Sequence, residues 1–242
     1  IIREEKKYEI LRNIVHKTEL DISDENEFVA NLISEISNVK GEMLDVTYYY
    51  SKNCPEEVFK KIFREYNDTL IRANLIDFDD MLVLCFQLFL SRPDVLRGWQ
   101  KKFRYILIDE YQDSNYVQDT ILHAVSRDGL AGEMPNIFMV GDAKQSIYRF
   151  RGARPELFAE KLLSYNKKEG TLYRRIDLQK NFRSREIVLE STNEVFSRMM
   201  HTDIGGVEYD DEAKLHLGSD FENTEKKIAK NVDVYAILGK QN

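Results

Sequence analysis

The sequence predicts an α/β fold, a parallel sheet flanked by helices with a mainly helical segment ahead of it. Three observations carry this. Apolar residues recur at helical spacing through the first hundred positions. Two short apolar runs, at 105–108 and 135–142, break that pattern and have the length of buried strands. Helical stretches then alternate with such runs, which is the rhythm of a parallel sheet with helices on its faces.

The elements follow in order. Over 24–39, Phe28, Leu32, Ile33, Ile36 and Val39 fall on one helical face. Pro55 suits the first turn of a second helix, where its missing N–H costs nothing, and Val58, Phe59, Ile62, Phe63 and Tyr66 repeat the stripe. A third helix is expected over 77–90, with Phe78, Met81, Leu82, Cys85 and Leu88 inward and Pro93 ending it. These stripes read as core packing rather than as ligand sites.

Near Arg104 the pattern changes. Residues 105–108 read as a short buried strand, and Ser114 as the N-cap of a helix through about Arg127. PNIFMVGD, at 135–142, reads as a second buried strand ending in Gly-Asp. Pro155 opens a helix to about Tyr165, a third strand is expected over 172–178, and a further helix over 185–200. Beyond Met200 the chain is polar and acidic and no element is assigned. There is no internal repeat.

Composition bounds the function. With 43% hydrophobic residues, 13 Phe and 13 Tyr, the chain has the means to fold. No apolar run reaches membrane-span length, and the start IIREEKKYEI lacks the apolar core of a secretory signal. It also lacks an initiator Met, as expected of a piece of a longer chain. A net charge of −7 argues against wholesale charge-driven nucleic-acid binding but leaves room for a local basic groove. Cys54 and Cys85 form no CxxC pair and read as two buried thiols, which suits a reducing, cytoplasmic setting.

The stretch YILIDEYQDSN places Asp109 and Glu110 directly after the first strand. In open α/β sheets, ligands bind at the carboxyl ends of the strands. Adjacent acids there suit a magnesium–nucleotide site, one carboxylate holding the ion and the other activating water. A bare Asp-Glu is more often a pair of solvated loop acids, so the context has to decide.

IDEYQD, VGDAKQSIYRFRGA and LQKNFRS occur in that order. They resemble motifs II, III and IV of superfamily 1 DNA helicases of the UvrD/Rep type. Motif II, DExxQD, is matched by Asp109, Glu110, Gln112 and Asp113. Motif III is matched by Gly141, Asp142, Gln145, Ser146, Ile147, Tyr148, Arg151, Gly152 and Ala153. Motif IV is matched by Lys180, Asn181, Phe182, Arg183 and Ser184, and IDFDDM, at 76–81, looks like a further family element. Lys144, NFRSREIVLESTNEVFSRMM and GGVEYDDEAKLHLG are similar to the helicase–nuclease branch, the RecB and AddA group, and to AddA in particular. The resemblance covers roughly residues 66–218.

The resemblance implies a partial RecA-like P-loop NTPase motor domain with a helical insertion. Residues 1–100 would be the mainly helical, 1B-like part. Residues 101–178 would be the later part of the first motor domain, and 179–242 the start of the second. ATP and Mg²⁺ are the implied cofactors. Asp109 would hold the metal, Glu110 would be the base toward water, and Gln145 would touch the γ-phosphate. Arg183 would act on the γ-phosphate as an arginine finger, although a surface salt bridge is the plainer reading of an isolated arginine. Tyr148 and Phe150 look like aromatics that stack on single-stranded bases, and Arg151 would contact DNA. For Phe150, core packing and stacking weigh equally by composition. Lys144, Arg149 and Arg154 complete a local basic stretch that would contact phosphates or couple the DNA and nucleotide sites.

The sequence holds no GxxxxGK[ST]. Its Gly239-Lys240 pair is preceded by Val234 where the first Gly is needed and followed by Gln241. The expectation is an internal fragment, without ATPase activity by itself, whose sheet presents an apolar edge open to pairing. The longer protein would be an ATP-dependent helicase with exonuclease activity that processes single- and double-stranded DNA ends beside an AddB-like partner. A UvrD-like helicase without a nuclease, and a non-catalytic helicase-derived scaffold, are the alternatives.

Overall fold

Asp24 opens the best-packed part of the chain. Its carboxylate accepts hydrogen bonds from the backbone N–H groups of Asn26 and Glu27, which caps the helix that follows. The structure is a computed structural model that describes residues 1–18, 20, 22–128, 130–149, 152–201 and 208–219. The described chain divides into two compact units. The first comprises Ile1–Asn166 with Gly170–Tyr173, and the second Lys167–Glu169 with the described residues from Arg174 onward.

In the first unit, α1 (Glu4–Val15), α2 (Glu25–Gly41) and α3 (Glu56–Arg72) pack together. Ile10, Leu11, Ile14, Val29, Leu32, Ile36, Val39, Phe59, Ile62, Tyr66 and Leu70 close over one another as the hydrophobic core. The expected stripes of α2 and α3 therefore face inward as read. Each buried aliphatic side chain contributes about 1.5–3 kcal/mol relative to exposure.

Next come α4 (Phe78–Ser91) and α5 (Pro93–Lys102). Asp77 caps α4 in a reciprocal capping box with Asp80. Pro93 does end α4, but it also sits in the first turn of α5, a helix the sequence reading missed. The inward face assigned to α4 is corrected. Phe78, Met81 and Leu88 are exposed, and within the helix only Phe89 is buried. An almost wholly apolar helix gives no polar side from which a face can be read. It packs on α2, α5 and α6 along another line.

Two parallel strands follow, β1 (Ile106–Ile108) and β2 (Ile137–Met139), in register Ile106–Ile137, Leu107–Phe138 and Ile108–Met139. Between them runs α6 (Tyr116–Val125), and after them α7 (Pro155–Ser164). Asn115, not Ser114, caps α6, in a capping box with Gln118. The expectation of a fully buried first strand fails, because Tyr105 is 74% and Leu107 76% exposed. Leu107 and its register partner Phe138 lie on one face, which no described residue covers. Parallel strands are ordinarily covered on both faces. The isolated chain is therefore expected to self-associate. Sedimentation velocity should show weight-average mass rising with concentration, and a strict monomer at high concentration would contradict this.

In the second unit, β3 (Lys180–Asn181) pairs in parallel with β4 (His216–Leu217), and α8 (Glu186–Met199) lies beside β4. No strand forms over 172–178, where Leu172, Ile176 and Leu178 are exposed. Ion pairs organise this stretch instead. Lys167 lies 3.0 Å from Asp177 and 2.8 Å from Glu212, and Arg175 lies 2.5 Å from Asp177. The protein is thus mixed α/β with small parallel sheets. Cys54 and Cys85 are free thiols, half-buried rather than buried, and burial pushes both thiols up. Among the described residues, no helix is long and apolar enough to cross a membrane.

Candidate functional site

β1 and β2 are parallel neighbours, so the residues after Ile108 and after Met139 emerge at the same edge. That edge receives Asp109 and Glu110 from one strand and Gly141 and Asp142 from the other. Val140 donates its N–H to Ile108 O at 2.8 Å, and Tyr111 donates to Val140 O at 2.9 Å, which fastens the two exits together.

Asp109 and Glu110 are both exposed. Asp109 Oδ1 accepts the backbone N–H of Glu110 at 3.0 Å. No ion pair to either carboxylate exists among the described residues. Glu110 has φ 51° and ψ 41°, in the left-handed region. A non-glycine residue held there costs of order 1–3 kcal/mol, and such positions gather at functional sites. What holds it is the single 3-10 turn that follows, Tyr111–Asp113.

That turn is anchored from below. Tyr111 is fully buried, with its ring edge-on to Phe158 at 6.0 Å and Lys161 5.0 Å from its centroid. Its hydroxyl donates to Asp119. Burial pushes the Tyr111 phenol up. Burial also works to raise Asp119, but the hydrogen bonds from His123 and Tyr111 and the Lys161 charge prevail and hold it at about 2. Gln112, 4% exposed, accepts the Asp142 N–H on Oε1 at 3.0 Å.

The exit from β2 is a second turn, Ala143–Gln145. Asp142 caps it. Its Oδ1 accepts the Lys144 backbone N–H at 3.1 Å and pairs with Lys144 Nζ at 2.9 Å, while Oδ2 accepts from Gln145 Nε2 at 3.0 Å. Burial works to raise the Asp142 carboxyl, but the Lys144 and Gln145 bonds prevail and lower it. Gly141 leaves no room for a side chain. A Cβ there would stand 2.7 Å from Gln112 Oε1 and 3.2 Å from Phe158 Cζ. Gly141→Ala is therefore expected to destabilise the chain by about 1–3 kcal/mol. A thermal melt identical to wild type would contradict that packing.

The structure brings Asp109, Glu110 and Gln145 to one edge through these two turns. Tyr148 follows on the same segment and is 37% exposed. Phe150 and Arg151 lie outside the described residues. Of the basic stretch, Arg149 pairs with Glu156 at 2.5 Å and Arg154 with Glu42 at 3.1 Å. With Lys144 on Asp142, its described cations are each neutralised by a carboxylate. Arg183, in the second unit, is exposed on a turn in which Asn181 Oδ1 accepts the backbone N–H groups of Arg183 and Ser184, both at 2.9 Å.

Two exposed carboxylates fit a magnesium ion. That ion prefers a few carboxylate ligands and fills its remaining positions with water and phosphate oxygens. No set of three or more metal-ligating side chains competes for one among the described residues. Asp113 Oδ1 and Ser146 Oγ, buried in the same two segments without hydrogen-bond partners among the described residues, add unspent oxygen capacity.

Two parallel strands deliver an acid pair and a Gly-Asp cap to one edge. The chain belongs to the UvrD/REP helicase N-terminal domain family, whose model matches residues 1–166. It is similar to proteins named as the A subunit of an ATP-dependent helicase/nuclease. That of Lachnoclostridium phytofermentans is 39% identical over 229 residues, covering 90% of this chain and 16% of the relative. That of Clostridioides difficile is 39% identical over 82% of this chain and 16% of the relative, and that of Clostridium novyi 45% identical over 67% and 13%. The chain thus spans about 16% of the length of the first two relatives.

Proposed function

We propose that this chain supplies the acid end of an ATP site in a DNA helicase–nuclease that unwinds and processes double-strand ends. The observation that carries the reading is the exposed Asp109–Glu110 pair at the end of β1, without an ion pair among the described residues, beside the Asp142–Gln145 turn at the end of β2. Asp109 holds Mg²⁺. The ion, when bound, withdraws charge from the phosphate oxygens. Glu110 accepts the proton of the attacking water as that oxygen bonds to the γ-phosphorus and the bond to the β,γ-bridging oxygen breaks. Gln145, an amide that both donates and accepts, leaves Asp142 to bond the γ-phosphate. Arg183 stabilises the charge that builds there.

Tyr148 and Phe150 stack on single-stranded bases, a contact indifferent to sequence, and Arg151 contacts DNA. In this reading residues 101–178 are the later part of a RecA-like motor domain. Residues 1–100 form its helical insertion with connecting helices, and 179–242 begin the second motor domain. The longer protein is cytoplasmic, carries the exonuclease activity elsewhere and works with an AddB-like partner. The names of the relatives support the assignment of helicase and nuclease activity.

The sequence contains no P-loop, so the isolated chain is expected to turn over no ATP above background. Steady-state phosphate release by the purified chain checks this. Robust release that depended on Glu110 would overturn the division of labour.

A further inference from the structure

We propose that Gln112 is a positioning residue, whose amide oxygen fixes the Asp142–Gln145 turn relative to Glu110. The inference rests on the reading above, in which that edge is the ATP site. A continuous chain of links carries it. Gln112 lies in the turn that holds Glu110 in its left-handed conformation. Its Oε1 accepts the Asp142 N–H at 3.0 Å. Asp142 in turn accepts from Gln145 Nε2 at 3.0 Å. One buried side chain therefore connects the proposed base to the proposed γ-phosphate sensor.

Two features show that the link is built in. Gln112 is 4% exposed, so water does not compete for its amide. Gly141, immediately before Asp142, has no room for a Cβ against Gln112 Oε1. The close approach of the two segments is thus the reason both a glycine and a glutamine stand there. The Asp142 N–H is half-buried, and stripping it of its acceptor removes the bond that joins the two segments, so loss of Oε1 should release the turn rather than leave it in place.

The test uses the longer protein that contains this chain, with Gln112→Met, of similar volume but lacking the acceptor. Phe158→Leu is the control. It thins the packing over the same turn without touching the bond. Gln112→Met should lower kcat for DNA-stimulated ATP turnover by about tenfold and leave the KM for ATP within about twofold of wild type. Phe158→Leu should lower the melting temperature and spare kcat. Wild-type kcat in Gln112→Met, or an equal loss of kcat in Phe158→Leu, would overturn the proposal.

Amide hydrogen exchange supplies a readout independent of activity. Peptides spanning 141–149 should exchange about tenfold faster in Gln112→Met, while peptides from α1 to α3 keep their wild-type rates. Unchanged exchange at 141–149 would overturn the role of Gln112. A wild-type protein with no ATP turnover would instead sink the proposed function, and the exchange result would still decide on Gln112.

Discussion

Replacing Glu110 with Gln in the longer protein that carries this chain is expected to lower DNA-stimulated ATP turnover by about a hundred- to ten-thousandfold, the usual contribution of a positioned base. The carboxylate is exposed, carries no ion pair among the described residues and stands on a backbone held at φ 51°. Glutamine keeps the shape and removes the proton acceptor, so the fold should survive. Nucleotide affinity, read with a fluorescent ATP analogue, should stay near wild type, because the proposed ligand of Mg²⁺ is the neighbouring Asp109. Asp109→Asn should instead weaken the magnesium dependence of binding. If Glu110→Gln turned over ATP at the wild-type rate, the assignment of the base would be wrong.

The second large effect lies away from the edge. Lys40 reaches from α2 to Asp77 at 2.8 Å and to Asp80 at 2.7 Å, with its side chain 6% exposed and Asp77 2% exposed. Lys7 of α1 joins through Asp79 at 3.0 Å and Ser37 at 2.9 Å, and the Tyr66 hydroxyl of α3 donates to Asp77 at 2.9 Å. This network ties the three-helix core to the cap of α4. Lys40→Met leaves Asp80 without its cation and Asp77 with only Lys7, 3.9 Å away, and is expected to cost about 3–5 kcal/mol. Lys40→Met with Asp77→Asn should recover part of that, because the buried Asp77 charge that lost its 2.8 Å partner is removed as well, while Lys7 keeps Asp79. Urea unfolding of the two variants checks both statements, and an equal loss in the two would contradict the pairing.

The same network sets an acid limit. Burial works to raise Asp77, but the Lys40 charge and hydrogen bond and the Asp80 N–H prevail, so its folded value lies below its ordinary one. Asp119 likewise is held at about 2. A carboxylate lowered by folding contributes stability that is complete above the unfolded pKa, about 4, and is lost as pH falls through the folded value. Stability should therefore hold from neutral pH to about 4 and fall below it. Flat stability from pH 5 to 2 would contradict this.

What was legible in the sequence was local. The acid pair after β1 and the Gly-Asp exit of β2 are set by neighbours along the chain, and the structure forms both of them. The helical stripes of α2 and α3 were legible because their polar positions mark the outer face. The near-uniform apolar character of α4 erased that mark, and its inward face was misjudged. Helix α1 went unread because Lys7 interrupts its apolar side. That lysine is 3% exposed, and Asp79, Asp77 and Ser37, all distant in the sequence, account for its burial. The cap at Asn115 had a readable signal in the Asn115–Gln118 spacing, which Ser114 obscured. Burial of 105–108 could not be read, because it depends on what covers the sheet. The link from Gln112 to Asp142 spans 30 positions, and no local pattern announces it.

The most direct measurement is ATP hydrolysis by the longer protein with and without single-stranded DNA. A DNA-dependent motor predicts turnover that rises at least about tenfold on adding DNA and that vanishes in Glu110→Gln. Turnover indifferent to DNA, or to Glu110, would contradict the account and leave the helicase-derived scaffold as the better reading of this chain.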